Sequence, residues 1–243
     1  MMVKSEKKDI KEERIRKLLL MPIVCDKKID HVYRVDNTIY SGQQYYSNAD
    51  DPDMSDIAIW FYEKIYSIDQ ILKKEDNGKY YFKTPCFAGD TMNSYRTVSK
   101  GADEDNKEKW FTEYHCLANF WLLPKDIGRF SPHWSDKRCA GIAKKGKNEF
   151  LDVFLGNYYN RRKDYEQAGL KEYIDKFSSK EDDFKRNHYL PEDVDFSGDS
   201  NNKINKMREF IKERARIIAE QMCEILYDSI LTEFPRIRIG KIQ

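Results

Sequence analysis

Two short blocks hold the side chains of this sequence that are best suited to chemistry. In the block from Tyr114 to Arg129, His115 and Asn119 stand four residues apart. Around them the spacing of Trp110, Tyr114, Leu117 and Trp121 predicts a helix that Pro124 ends. Residues four apart on a helix share one side, so an imidazole and a carboxamide would project together. Such a pair can supply a general base or a metal ligand, with the amide orienting a substrate. The same pair would serve equally as mutually satisfied polar groups in an aromatic core, because Phe111, Leu117, Phe120, Trp121 and Leu122 flank it.

The other block runs from Phe87 to Ser94 and reads Phe-Ala-Gly-Asp-Thr-Met-Asn-Ser. Gly89 opens four hydrogen-bonding side chains at an expected strand-to-helix junction, where backbone amides can face an anion. Asp90 is the candidate metal ligand or base, and Asn93 and Ser94 are candidate binding groups. The block lacks the Gly-x-x-x-x-Gly-Lys spacing of a P-loop, and Asp90 or Thr91 would also serve as an ordinary helix cap. Arg129, after Gly128, could clamp a phosphate or carboxylate. His133 and Cys139 could join His115 and Cys116 at a zinc ion only if neighbours 115 and 116 pointed the same way, which a helix forbids. Lys144, Lys145 and Lys147 read as a solvated basic loop.

The elements that must position these blocks are expected to be mainly helical. Residues 4–20 place Ile10, Ile15, Leu18 and Leu19 on one side of a short helix with a frayed start, ending before Pro22. Between Ile23 and Tyr46 the β-prone pieces 31–35 and 37–41 suggest irregular chain or a small hairpin. Ser55 or Asp53 would cap a helix through Ile57, Trp60, Phe61, Ile65, Ile68, Ile71 and Leu72, ending near Asn77-Gly78. Residues 79–84 read as a strand. Residues 150–177 read as one broken helix or two, and 178–202, with Pro191 and Gly198, as a long surface loop. The last helix carries Ile204, Met207, Ile211, Ile218, Met222, Ile225 and Ile230 as a stripe, with Glu209, Lys212, Glu213 and Arg216 off it. The whole reads as a single globular domain over 1–243, mainly α with a small β element.

Composition agrees with a packed core inside a charged shell. Apolar residues make up 40% and charged residues 35%, but 16 Tyr, 13 Phe and 4 Trp provide large buried areas that compensate for few aliphatics. Lys plus Arg total 43 against 42 Asp plus Glu, so no global field attracts nucleic acid or an anionic membrane, although local patches can. Cys25, Cys86, Cys116, Cys139 and Cys223 are odd in number and form no Cys-x-x-Cys pair, which suits reduced thiols. The charged N-terminus and the lack of any run of about 20 apolar residues predict a cytoplasmic protein with no membrane partner.

The Phe87–Ser94 block, the Tyr114–Phe120 block with Leu122-Leu123-Pro124, and the Asp51-Pro52-Asp53 stretch before an aromatic helix resemble a bacterial family defined as a domain of unknown function. More remotely, His115, Ala118-Asn119-Phe120 and Leu122-Leu123-Pro124 are similar to the Gly-Asn-Leu-x-Leu-Leu block of HNH-type nuclease domains in modification-dependent restriction enzymes. Ile211-x-x-Arg214 with Ile218-Ala219 is similar to their last helix. That resemblance implies a metal-dependent phosphodiester hydrolase, or its degenerate relative, with a divalent metal cofactor and a nucleic acid or phosphate-containing ligand. In those nucleases an earlier block carries the histidine that activates water. Here that block is Gly89–Ser94 and has none, so Asp90 or His115 would have to substitute. The alternative is a non-catalytic binding or regulatory module that acts through a protein partner. A third reading is small-nucleotide binding at the Gly89 turn.

Overall fold

A computed structural model describes residues 2–25, 39–40, 45–47, 52–67, 72–74, 80–82, 86–92, 101–124, 185–192 and 198–233. These residues are mainly helical, with short strands in three small sheets. The chain divides into two compact units. One comprises residues 1–83, 115–120 and 212–243, and the other 84–114 and 121–211.

In the first unit, helix α1 (Met2–Leu19) is stabilised on its surface by charge pairs at helical spacing, Lys8–Glu12 at 3.2 Å and Glu13–Arg16 at 2.6 Å. Its inward side buries Ile15, Leu18 and Leu19 completely, while Ile10, expected on the same side, is 48% exposed. The helix stops as anticipated, just before Pro22. Strand β1 (Ile23–Cys25) then runs parallel to β3 (Tyr45–Ser47), which pairs antiparallel with β2 (Ile39–Tyr40). Of the two expected β-prone pieces, 31–35 lies outside the described residues and 37–41 contains β2.

Helix α2 (Asp56–Ile65) begins where its sequence says it should. Ser55 is extended, and its hydroxyl accepts the Ala58 N–H while donating to the Pro52 carbonyl at 2.7 Å. Ile57, Ala58, Ile59, Trp60, Phe61, Tyr62 and Ile65 are all buried, so this helix is covered nearly all round. Each large apolar side chain removed from water contributes about 1.5–3 kcal/mol. The two aromatic polar atoms are satisfied: Trp60 donates to Ser229 Oγ at 2.8 Å and Tyr62 to the Asp53 carbonyl at 3.2 Å.

The expected continuation of α2 to Asn77-Gly78 is corrected. Ser67 takes a left-handed conformation with φ of 50°, and Leu72–Lys74 forms strand β4, antiparallel to β5 (Tyr80–Phe82). Asn77-Gly78 lies in sequence between two paired strands, the place where that dipeptide favours a hairpin connection. The strand expected at 79–84 is β5.

Helix α4 (Ser200–Glu233) contributes its residues from Lys212 onward to the first unit. Lys11 pairs with Glu224, and Arg14 reaches the Tyr227 hydroxyl at 3.0 Å, while the Lys11 ammonium lies 5.1 Å from the Tyr227 ring centre. Most of the expected stripe is buried, but Ile225 is 52% exposed, and Cys223 and Leu226 take the inward places instead. No helix among the described residues is long and apolar enough to cross a membrane.

The second unit contains the pair of strands β6 (Cys86–Asp90) and β7 (Phe120–Pro124), with Phe120 itself assigned to the first unit. It also contains helix α3 (Glu104–Glu113). Asp103 caps α3 by accepting the Asn106 N–H at 2.8 Å, and its own N–H donates to Asn201 at 2.9 Å. Trp110 is wholly buried and stacks on Tyr114 at 5.5 Å. Glu113 takes the Arg208 guanidinium with both carboxylate oxygens, at 2.6 and 2.7 Å, a fork that fixes direction as well as distance.

Of the surface loop expected over 178–202, residues 178–184 and 193–197 lie outside the described residues, and the described ones depart from it. Residues 185–187 form a helical turn, and His188, Leu190 and Pro191 are buried. The Leu190 N–H reaches back to the Lys185 carbonyl at 2.8 Å, with Tyr189 left-handed at φ of 58°, which ends the turn and folds the following residues inward. Residues 200–202 open α4 rather than closing a loop.

Candidate functional site

The chain between α3 and β7 is the segment that carries His115 and Asn119, and it is not a helix. After Glu113 the residues Tyr114 to Cys116 bend, Cys116 is extended, and Leu117–Asn119 makes one tight 3-10 turn before β7 begins at Phe120. This overturns the expected helical stripe from Trp110 to Trp121, and with it the placing of His115 and Asn119 on one helix face. The physical cause lies in the hydrogen bonds. Arg214, fully buried on α4, donates from Nη1 to the Ala118 carbonyl at 2.6 Å and to the Phe120 carbonyl at 2.8 Å. In a helix the Ala118 carbonyl would take the Leu122 N–H, whereas the Phe120 carbonyl would face Pro124, which has no N–H to give; here both take the guanidinium. The aromatic and sulfur residues of the segment, poor helix formers, offer little resistance.

The remaining groups of the turn are tied down as well. The Asn119 N–H donates to the Cys116 carbonyl at 2.9 Å, and the His115 carbonyl accepts the Ile23 N–H of β1 at 2.8 Å. Residues Cys116 to Phe120 have no solvent exposure. Asn119 is therefore enclosed rather than presented. The His115 imidazole remains partly exposed and lies against the Phe120 ring, with centres 6.4 Å apart and planes tilted by 53°. Burial pushes its pKa down to about 4, so the ring is neutral at pH 7.

Asp90 lies in the other unit. It is the last residue of β6, only 8% exposed, and is followed by the fully buried Thr91 and Met92. The residues after Met92, where the helix that Asp90 or Thr91 was expected to cap would run, lie outside the described ones. So do Asn93, Ser94 and Arg129, and with them His133, Cys139 and the lysines at 144–147. Of the candidate residues, the structure places His115 and Asn119 on one turn, Asp90 in a different unit, and describes no other. Among the described residues no three His, Cys, Asp or Glu side chains gather in a way that would hold a metal ion. The donor set that the nuclease resemblance implies is thus not met by them.

Two contributors were not among the candidate site residues, although Arg214 belongs to the Ile211-x-x-Arg214 motif. Arg214 falls three or four residues from Phe210, Ile211 and Ile218, squarely on the apolar stripe of α4. A charged residue on such a stripe was the available signal. His188, fully buried, meets Trp121 edge-on at 5.6 Å within the second unit, and no spacing in the sequence marks that pair. No protein-family model, curated protein or solved structure gives a significant match to the chain.

Proposed function

We propose that this chain is a non-catalytic binding module, a degenerate relative of phosphodiester hydrolase domains, that recognises a protein partner with the neutral imidazole of His115. The observation that carries this reading is the commitment of the Cys116–Phe120 turn to holding the fold. Asn119 is enclosed within the turn, and the Arg214 guanidinium is engaged with backbone carbonyls. A base with a pKa near 4 is also weak, because proton abstraction is most efficient when the pKa lies near the working pH. A neutral imidazole, by contrast, both donates and accepts hydrogen bonds, which suits recognition.

The hydrolase reading keeps one specific support: the same neutral ring retains the lone pair that a general base or metal ligand requires. Incubation of the purified chain with single- and double-stranded DNA and RNA, in Mg²⁺, Mn²⁺ or Zn²⁺, separates the two. The binding reading expects no cleavage. Cleavage that disappears in both Asp90→Ala and His115→Ala would overturn it in favour of the hydrolase.

A further inference from the structure

The His115 imidazole is held by a short chain of contacts that starts at a buried cation. Arg214 Nη1 bridges the carbonyls of Ala118 and Phe120, which fixes the backbone on both sides of Asn119. Phe120 carries one of those carbonyls, and its ring meets the imidazole at a tilt of 53°, with centres 6.4 Å apart. The other end of the turn is fixed independently, by the Ile23 N–H on the His115 carbonyl. A guanidinium is suited to this task because its planar donors are rigid, whereas an ammonium would sit as a point charge without holding two acceptors in a defined geometry. Burying a cation costs several kcal/mol before its partners compensate. A methionine or leucine would fill the same stripe position on α4 at no such cost, so the charge calls for an explanation beyond packing.

We propose that Arg214 is a positioning residue for His115, acting through the Phe120 carbonyl and ring to set how the imidazole is presented. The inference rests on the reading of His115 as the recognition group, but its test does not use binding or cleavage, so either can fail without the other.

The test is carbethoxylation by diethyl pyrocarbonate at pH 7, read at each histidine by mass spectrometry, on the full chain and on Arg214→Lys and Phe120→Leu. His188, buried in the other unit, reports general loosening. In Arg214→Lys that is folded by circular dichroism, His115 should react roughly tenfold faster, the factor expected when one charge-assisted hydrogen bond no longer opposes local opening. His188 should stay protected. Phe120→Leu leaves the guanidinium with its two carbonyls and removes only the ring, so it should expose His115 likewise, and it decides the matter if Arg214→Lys does not fold. Unchanged His115 reactivity in a folded variant overturns the proposal, and so does a parallel rise at His188.

Discussion

Replacing Arg214 by methionine tests whether the buried guanidinium holds the Cys116–Phe120 turn. Methionine keeps the length and flexibility of the side chain, so the change removes charge and donors with little loss of volume. Two hydrogen bonds from a charged donor disappear, at 2.6 and 2.8 Å. At about 1.5–3 kcal/mol each they are worth roughly 3–6 kcal/mol together. Against this, the desolvation cost of a fully buried cation is no longer incurred, and that recovers part of the loss. The two carbonyls remain in a segment with no solvent exposure, where each lost partner is felt in full. The net expectation is a destabilisation of about 2–4 kcal/mol, or a fall in Tm of roughly 5–15 °C for a chain of this size. Thermal melts followed by far-ultraviolet circular dichroism, with urea titrations to give the free energy, provide the measurement. A methionine variant that melts within about 2 °C of the parent would refute the reasoning, since the bonds would then contribute nothing net. Arg214→Lys should be no more stable than Arg214→Met, because it leaves a charge buried without the geometry that satisfies it.

Acidification should weaken the fold through His115. Its folded pKa, about 4, lies below the ordinary 6.5, so the unfolded chain takes up a proton that the native chain refuses. Stability is therefore intact above about pH 6.5 and falls as the pH drops toward 4, by about 2 kcal/mol after allowing for partial exposure of the ring. Urea midpoints at pH 7 and pH 4.5 should differ by less in His115→Gln than in the parent, and equal differences would remove His115 as the cause. At Ser67, where φ is 50° on an exposed residue, Ser67→Gly should relieve left-handed strain. The expected gain is about 0.5–1 kcal/mol, a rise of roughly 1–4 °C in Tm, and a fall would show that the serine side chain contributes more than its backbone costs.

Where local signals stood alone, the sequence was a reliable guide. Ser55 before an apolar run and Pro22 after one are punctuation that acts within a few residues, and both elements begin or end there. The errors came where a long-range partner outweighed periodicity. The aromatic spacing from Trp110 to Trp121 fits a helix, but the Ala118 carbonyl, which a helix would pair with the Leu122 N–H, is taken with the Phe120 carbonyl by a guanidinium 94 to 96 positions away. Leu72 fits the spacing of α2, yet it pairs opposite Phe82 in a hairpin. Residues 185–191 look like loop because they are polar and contain proline, while a left-handed Tyr189 turns His188 and Leu190 inward. At His115 and Asn119 the expected helix face gives way to a bend and a 3-10 turn.

Arg214 is a buried polar residue that composition does not mark. A histidine and an asparagine within an aromatic segment attract attention because their chemistry is familiar, whereas an arginine in a helix rich in charge looks like surface. Position on the stripe decides between these, since α4 buries the face that runs through Met207, Phe210, Ile211, Ala215 and Ile218, and Arg214 belongs to that face. A cation there must find acceptors or unfold its surroundings. The acceptors it finds are the Ala118 and Phe120 carbonyls, one in the 3-10 turn and one at the start of β7. The charge on α4 and the turn that precedes β7 thus meet at these two carbonyls, where the buried guanidinium holds the irregular backbone.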